Sequence, residues 1–134
     1  MAIFATMEQL TSQQFRLRSF RLRGDRMTRA QAEALALHWN RFEVPLQGII
    51  EPRELFPSMN PTEVIFEIGS GMGEATSQIA ANNPESAYVA VEVHKPGLGA
   101  LIIRAENLGV RNLKIINADI YEVLTKHIND HSID

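Results

Sequence analysis

Acidic residues and glycines are concentrated in the segment VIFEIGSGMGE, residues 64–74. An apolar run leads into Glu67, and the glycines Gly69, Gly71 and Gly73 follow before Glu74. Glycines between a strand and a helix let the backbone approach a ligand closely. The dinucleotide fingerprint G-x-G-x-x-G needs a third glycine at the position where this chain has Glu74. Because Glu67 and Glu74 would repel a pair of phosphates, we expect a ligand without phosphate.

Two further acids follow the next two predicted strands. Glu92 lies 19 residues after Gly73, at the place where an acid accepts hydrogen bonds from ribose hydroxyls in nucleotide-binding folds. Asp119, after the third strand, could accept a hydrogen bond from an adenine amino group. S-adenosylmethionine has a ribose, an adenine, an amino group and a sulfonium, but no phosphate. The acids therefore predict a site for this cofactor; the alternative is that they are solvated loop acids beside a tight turn.

The positions of these residues depend on an alternating order of strands and helices after residue 62. Apolar runs predict strands over residues 64–68, 87–93 and 113–117, and amphipathic stretches predict helices over residues 74–81, 98–108 and 120–128. Nearly continuous apolar strands separated by helices indicate an α/β fold, with a parallel sheet covered on both faces. Right-handed crossovers give the strand order 3-2-1 and place ligands at the carboxyl ends of the strands.

The first 62 residues lack this alternation of strand and helix patterns. We therefore divide the chain into residues 1–62 and 63–134. Thr28 and Gln31 have the spacing of a capping box, which predicts a helix that runs to about Asn40. Prolines at positions 45, 52 and 57 indicate an irregular segment over residues 41–60.

The charge is distributed unevenly along the 134 residues. The formal net charge is −3, yet six of the thirteen Lys and Arg residues lie within residues 16–29: Arg16, Arg18, Arg21, Arg23, Arg26 and Arg29. This basic arm suggests a polyanionic partner. The alternative is that the arginines are solvated or paired with acids of the body.

Composition and length exclude several classes of protein. The chain is long enough for one packed core, and it has no cysteine, which excludes disulfides and thiolate metal sites. There is no signal peptide and no apolar run of membrane-spanning length, so we expect a soluble, cytoplasmic protein without a membrane partner. His127 and His131 are four residues apart, but no third ligand is evident and we predict no metal site.

Three motifs closely resemble those of the bacterial tRNA (guanine-N7)-methyltransferases. These are the E-I-G-x-G-x-G turn at residues 67–73, the E-V-H-x-P-G-x-G string at residues 92–99, and N-x-x-x-x-x-A-D at residues 112–119. The second motif is the most specific, because other class I methyltransferases share only the glycine turn. The basic arm also resembles the family's N-terminal segment, and the similarity covers about residues 15–128.

This resemblance implies a Rossmann-like class I methyltransferase fold, of which the chain has the first three strands. It implies methyl transfer from S-adenosylmethionine to N7 of a guanosine in tRNA, in the variable loop. The implied cofactor-binding residues are Glu67, Gly69, Gly71, Gly73, Glu92, Asn117, Ala118 and Asp119. The residues implied to contact tRNA phosphates are Arg16, Arg18, Arg21 and Arg23.

The chain departs from the family pattern at its end, where no F-P-D-P-W-like segment follows Asp134. The aspartate of that segment is the family's candidate catalytic residue, so we expect no catalytic residue in this chain. We also expect the chain alone to be inactive, and either self-associated or marginally folded. Two alternatives stay open: a methyltransferase of the same fold for another substrate, and a truncated module that binds cofactor or RNA without catalysis. The oligomeric state is not predicted.

Overall fold

The structure, a computed structural model, describes residues 26–133. The main elements are, in chain order, helix α1 (Arg29–Phe42), strand β1 (Val64–Ile68), helix α2 (Glu74–Asn82), strand β2 (Ala87–Val91), helix α3 (Lys95–Leu108), strand β3 (Leu113–Ile116) and the short helix α4 (Ile120–Glu122). A 3₁₀-helix (Pro52–Leu55) lies between α1 and β1, and a π-helical turn (Val123–His127) continues α4. The predicted alternation of strands and helices is confirmed.

The three strands form one parallel sheet in the order β1-β2-β3. Ile68 of β1 is the register partner of Val91, which in turn is the partner of Ile116. The strands therefore end at the same level. The predicted strand order is confirmed, and one edge of the sheet carries the three connections that contain the candidate ligand residues.

Each face of the sheet contributes to a separate hydrophobic cluster, because successive side chains of a strand point to opposite faces. On one face, side chains of α1, α2 and α3 pack against Tyr88, Ala90 and Ile115. On the other face, Phe66 and Val89 pack against α4, the π-helical turn and the irregular segment after α1. Both faces are covered, as the sequence predicts, but only the first is covered by long helices.

Helix α1 begins where its capping box predicts. The Thr28 side chain accepts a hydrogen bond from the Gln31 amide, and the Gln31 side chain accepts one from the Thr28 amide. Such reciprocal bonds satisfy amides that have no partner inside the helix. The helix packs on α3, where the Gln31 backbone comes close to Gly99. This contact fixes α1 beside the helix that borders the candidate site.

Some predicted boundaries were wrong by a few residues. β2 ends at Val91 instead of residue 93, because the Glu92 carboxylate accepts hydrogen bonds from the next two amides and turns the chain out of the strand. α3 begins at Lys95 instead of residue 98, since Pro96 is tolerated in a first helical turn. The helix predicted over residues 120–128 is one α-helical turn followed by a π-helical turn.

The irregular segment after α1 is part of the core. Val44, Ile50 and Phe56 are buried against the second face of the sheet, and Glu43 forms an isolated parallel bridge with Ile115. The proposed division at residue 62 stays a prediction. Among the described residues, β1 pairs only with β2. None of the helices within residues 26–133 combines the length and the hydrophobicity of a membrane span.

Candidate functional site

The carboxyl ends of the three strands form a continuous rim. The Gly69 amide donates to the Val91 carbonyl at 2.8 Å, and the Glu92 amide donates to the Ile116 carbonyl at 3.0 Å. The sheet pairing thus continues one residue beyond the strands. It places the glycine turn, Glu92 and the start of segment 117–119 side by side, as the sequence predicts.

The glycine turn needs its glycines for two different reasons. Gly69, Gly71 and Gly73 have φ angles of 71°, 59° and 79°, in the left-handed region that L-residues with a Cβ rarely adopt. A Cβ on Gly69 or Gly71 would meet open space, whereas a Cβ on Gly73 would overlap Leu101 of α3 at 2.6 Å. The first two glycines therefore shape the turn and leave room above it, and the third allows α3 to pack closely.

Glu92 is nearly buried, with 9% of its surface exposed. One carboxylate oxygen, Oε1, accepts a hydrogen bond from the Gly71 amide at 2.9 Å. The other, Oε2, accepts from the Val93 amide at 2.9 Å and from the His94 amide at 3.5 Å. A carboxylate has about four lone-pair positions, so Glu92 holds the glycine turn and still has capacity to accept a ligand hydroxyl.

Glu67 lies inside the rim, near the end of β1. Its Oε2 accepts a hydrogen bond from the Thr76 hydroxyl of α2 at 2.5 Å. Thr76 is almost completely buried, with 1% of its surface exposed. This contact orients the carboxylate beside the glycine turn.

The segment after β3 places its acid at the start of a helix. Asp119 is the N-cap of α4, and its Oδ1 accepts a hydrogen bond from the Tyr121 amide at 2.7 Å. Asn117 is exposed, and Ala118 and Asp119 are half-buried. A ligand at the rim can reach these residues. Asp119 would then contact the cofactor in addition to capping α4.

Ser70 lies in the middle of the glycine turn. Its Oγ is buried and has no hydrogen-bond partner within residues 26–133. A buried hydroxyl without a partner costs about 1–3 kcal/mol. The turn therefore contains a polar atom whose hydrogen-bonding capacity is unused, beside the open space above Gly69 and Gly71.

A cavity of about 590 Å³ lies beside this rim. It reaches the predicted cofactor residues only at Asn117, and its other polar lining includes Glu43 and Lys95. Its apolar walls include Trp39 of α1 and Leu98 of α3. This cavity extends away from the glycine turn, so the geometry of the rim identifies the candidate site better than cavity size does.

Sequence reasoning missed four residues of the rim: Ser70, Thr76, Gly97 and Arg104. Gly97 belongs to the E-V-H-x-P-G-x-G string, so its position in a motif was a usable signal. Thr76, which bonds to Glu67, lies nine residues after it. Arg104 donates to the Met72 carbonyl, 32 residues before it in the sequence. Those separations reflect packing of the helices on the sheet and have no local signature.

Other predicted residues lie elsewhere. Arg16, Arg18, Arg21 and Arg23 are outside the described residues, so their contacts with tRNA stay predictions. Arg29 forms an exposed ion pair with Glu33 at 3.0 Å, which fits the alternative of pairing for that arginine. The His127 ring nitrogen Nδ1 is 2.7 Å from the Gly48 carbonyl, and residues 26–133 contain no group of three acidic or histidine side chains that could hold a metal ion.

The chain is similar to curated proteins from several bacteria, each named tRNA (guanine-N(7)-)-methyltransferase. It is 43% identical to the protein of Saccharophagus degradans over 119 residues, 88% of this chain and 51% of that protein. It is 41% identical to the protein of Pasteurella multocida over 120 residues, 88% of this chain and 46% of that protein. For Streptomyces avermitilis the identity is 38% over 120 residues, 89% of this chain and 41% of the relative. The chain spans about half the length of these relatives.

A protein-family model described as "Putative methyltransferase" matches residues 61–134. The match begins just before β1 and covers the sheet, the glycine turn and the three acids of the rim. The observed parallel sheet with helices agrees with the first part of a Rossmann-like methyltransferase fold. Because the match covers more than half of the chain, the protein belongs to this methyltransferase family.

Proposed function

We propose that the rim binds S-adenosylmethionine. The observation that carries this proposal is the pairing of an open glycine turn with the nearly buried Glu92, which bonds to the turn and retains accepting capacity. Glu92 would accept hydrogen bonds from the ribose hydroxyls. Asp119, with Asn117 and Ala118, would contact the adenine.

The glycine turn would hold the amino-acid end of the cofactor. The unpaired Ser70 hydroxyl could donate to a carboxylate there, and the Glu67 carboxylate would favour the ammonium and sulfonium charges. Glu67 and Glu74 flank the turn with negative charge, which disfavours a ligand that carries a pyrophosphate. These carboxylates and the Ser70 hydroxyl therefore fit a cationic, ribose-containing ligand better than a dinucleotide.

We further propose that the methyl acceptor is N7 of a guanosine in tRNA. The relatives that carry this activity in their names support the proposal. The bound cofactor would supply an electrophilic methyl group. In that transfer the N7–methyl bond would form as the methyl–sulfur bond breaks, and the bonding pair would stay on sulfur. Guanine N7 has a free lone pair, so the protein need not remove a proton before transfer. Its role would be alignment and electrostatic stabilisation.

A binding and methyl-transfer experiment tests both parts separately. Calorimetry with S-adenosylhomocysteine, on purified protein that carries this chain, should show binding to the wild type and weaker binding to Glu92→Ala. Transfer of labelled methyl groups to tRNA, followed by nucleoside analysis, should give 7-methylguanosine. Cofactor binding without methylation of tRNA would support a methyltransferase for another substrate or a non-catalytic module. Absence of cofactor binding would contradict the first proposal.

The basic arm supports tRNA as the partner through its charge. Replacing Arg16, Arg18, Arg21 and Arg23 with Gln should weaken tRNA binding, and each lost phosphate contact should lower the slope of log K against log salt by somewhat under about one unit. Cofactor affinity should not change. Titrations at several salt concentrations measure the slope.

A control for this prediction uses an exposed arginine away from the rim. Arg111 is exposed and lies just before β3, at the opposite end of the strands from the candidate site. Arg111→Gln changes the charge by the same amount per residue and should leave the slope unchanged. If the arm variant has the same slope as the wild type, the arginines of the arm do not contact tRNA phosphates. They would then be solvated or paired with acids of the body.

A further inference from the structure

Helix α3 contacts the glycine turn at three consecutive turn residues. A Cβ added to Gly97 would lie 2.2 Å from the Gly71 carbonyl oxygen. The Arg104 guanidinium Nε donates to the Met72 carbonyl at 3.2 Å. A Cβ added to Gly73 would lie 2.6 Å from Leu101. One face of α3 therefore borders the turn at Gly71, Met72 and Gly73.

The spacing of the α3 residues explains this arrangement. Positions 97, 101 and 104 are separated by four and three residues, so they lie on one face of the helix. Gly97, in the first turn of α3, has to lack a side chain because its neighbour is a backbone carbonyl that cannot rotate away. A Cβ at 2.2 Å from that oxygen would force the turn or the helix to move.

The contact at Gly97 is linked to Glu92 through Gly71. The Gly71 carbonyl faces Gly97, and the Gly71 amide donates to Glu92 Oε1. Glu92 comes five residues before Gly97, in the segment that leads from β2 into the first turn of α3. Gly71 is thus held on two sides by one segment, and a shift of its carbonyl would change the geometry of its bond to Glu92.

We propose that Gly97 is a positioning residue for the cofactor site: the close approach of α3 at Gly97 sets the position of the glycine turn against Glu92. Arg104 assists by holding the next carbonyl. The effect on the turn follows from the contacts alone. Its consequence for cofactor affinity rests on the proposed function.

A pair of glycine substitutions in α3 tests the proposal. Gly97→Ala and Gly99→Ala both add one methyl group to the same helix, and both have the same gain in helix propensity. A Cβ on Gly99 would instead overlap the Gln31 backbone, at 2.8 Å from its carbonyl oxygen. Gly99→Ala therefore perturbs the packing of α1 on α3 without contact to the glycine turn.

The first measurement is amide hydrogen exchange of the protein without ligand. Gly97→Ala should speed exchange of the Gly71 amide relative to the wild type, while Gly99→Ala should leave it at the wild-type rate and speed exchange near α1. An unchanged Gly71 amide in a folded Gly97→Ala protein would overturn the proposal. So would equal acceleration in both variants. This measurement does not depend on cofactor binding.

The second measurement is the dissociation constant for S-adenosylhomocysteine. Gly97→Ala should raise it on the order of tenfold or more, because displacement of a binding element by about 1 Å has effects of this size. Gly99→Ala should raise it much less. If the wild type binds no cofactor, the proposed function fails while the exchange result still decides the role of Gly97.

Arg104→Gln is a second variant, to be measured if Gly97→Ala does not fold. Arg104 is exposed, so its replacement should not disturb the core. Loss of its bond to the Met72 carbonyl should speed exchange within the turn about two- to tenfold, the range for one net hydrogen bond. Equal exchange in Arg104→Gln and the wild type would contradict the contribution of α3 at this point.

Discussion

Glu92 and Asp119 follow neighbouring strands at one edge of the sheet, but the structure holds them differently. Glu92 is nearly buried and bonds to the amide of Gly71, which is 21 residues away in the sequence. Asp119 is half-buried and bonds to the amide of Tyr121, two residues along the chain. The same chemical group thus joins two elements in one case and caps a short helix in the other. Position in the tertiary structure, together with the length of the side chain, determines which role an acid of this rim has.

The largest expected effect is that of Glu92→Ala. The change leaves the amides of Gly71, Val93 and His94 without their acceptor, and it removes the proposed ribose contact. Cofactor binding should weaken by about 1–3 kcal/mol. Calorimetry measures the difference. Glu33→Ala, which removes an exposed carboxylate on α1, is the control and should bind as the wild type does. Unchanged affinity in Glu92→Ala would remove this residue from the ribose site.

Asp119 should have a smaller effect, and two substitutions separate its roles. Asp119→Ala loses the N-cap and should lower the free energy of unfolding by about 1 kcal/mol, while Asp119→Asn keeps a capping side chain and should stay near the wild type. Urea denaturation measures both. The comparison with Glu92 would fail if Asp119→Ala weakened cofactor binding more than Glu92→Ala did.

A comparable loss of stability is expected for Thr76→Val, which removes the hydroxyl that donates to Glu67 and keeps the shape of the side chain. The free energy of unfolding should fall by about 0.5–1.5 kcal/mol, the net value of one hydrogen bond. Thr76→Ser retains the hydroxyl and should preserve the contact. Thermal melts of the two variants measure the difference, and equal melting temperatures would show that the Glu67 contact contributes little to stability.

Much of the sheet could be predicted from the sequence, because the patterns that mark its strands and turns are local. The apolar run at residues 64–68 has the bounds of β1. The capping box of Thr28 and Gln31 marks the start of α1. The glycines at 69, 71 and 73 all have positive φ, a backbone requirement that residue type alone reveals. The acids at the rim follow from the same pattern, since residues after parallel strands meet at one edge of the sheet.

The boundaries around α3 and the last helix were less predictable. Glu92 ends β2 early through bonds to amides of its own connection, a side-chain effect that hydrophobic periodicity does not report. The chain after Glu122 continues as a π-helical turn, although its periodicity predicts one continuous helix. Neither difference moves the candidate site, because both leave the ends of the strands in place.

The sequence by itself determined the order of the elements, the shape of the glycine turn and the positions of the acids along the chain. Only the tertiary structure decided which groups they contact. The bond from Gly71 to Glu92, the close approach of Gly97 to Gly71 and the bond from Arg104 to Met72 join residues 21 to 32 positions apart. Such contacts depend on how α3 packs across the sheet, and packing is a property of the whole core. The glycines of a turn and the apolar run that marks a strand are, in contrast, local features of the sequence.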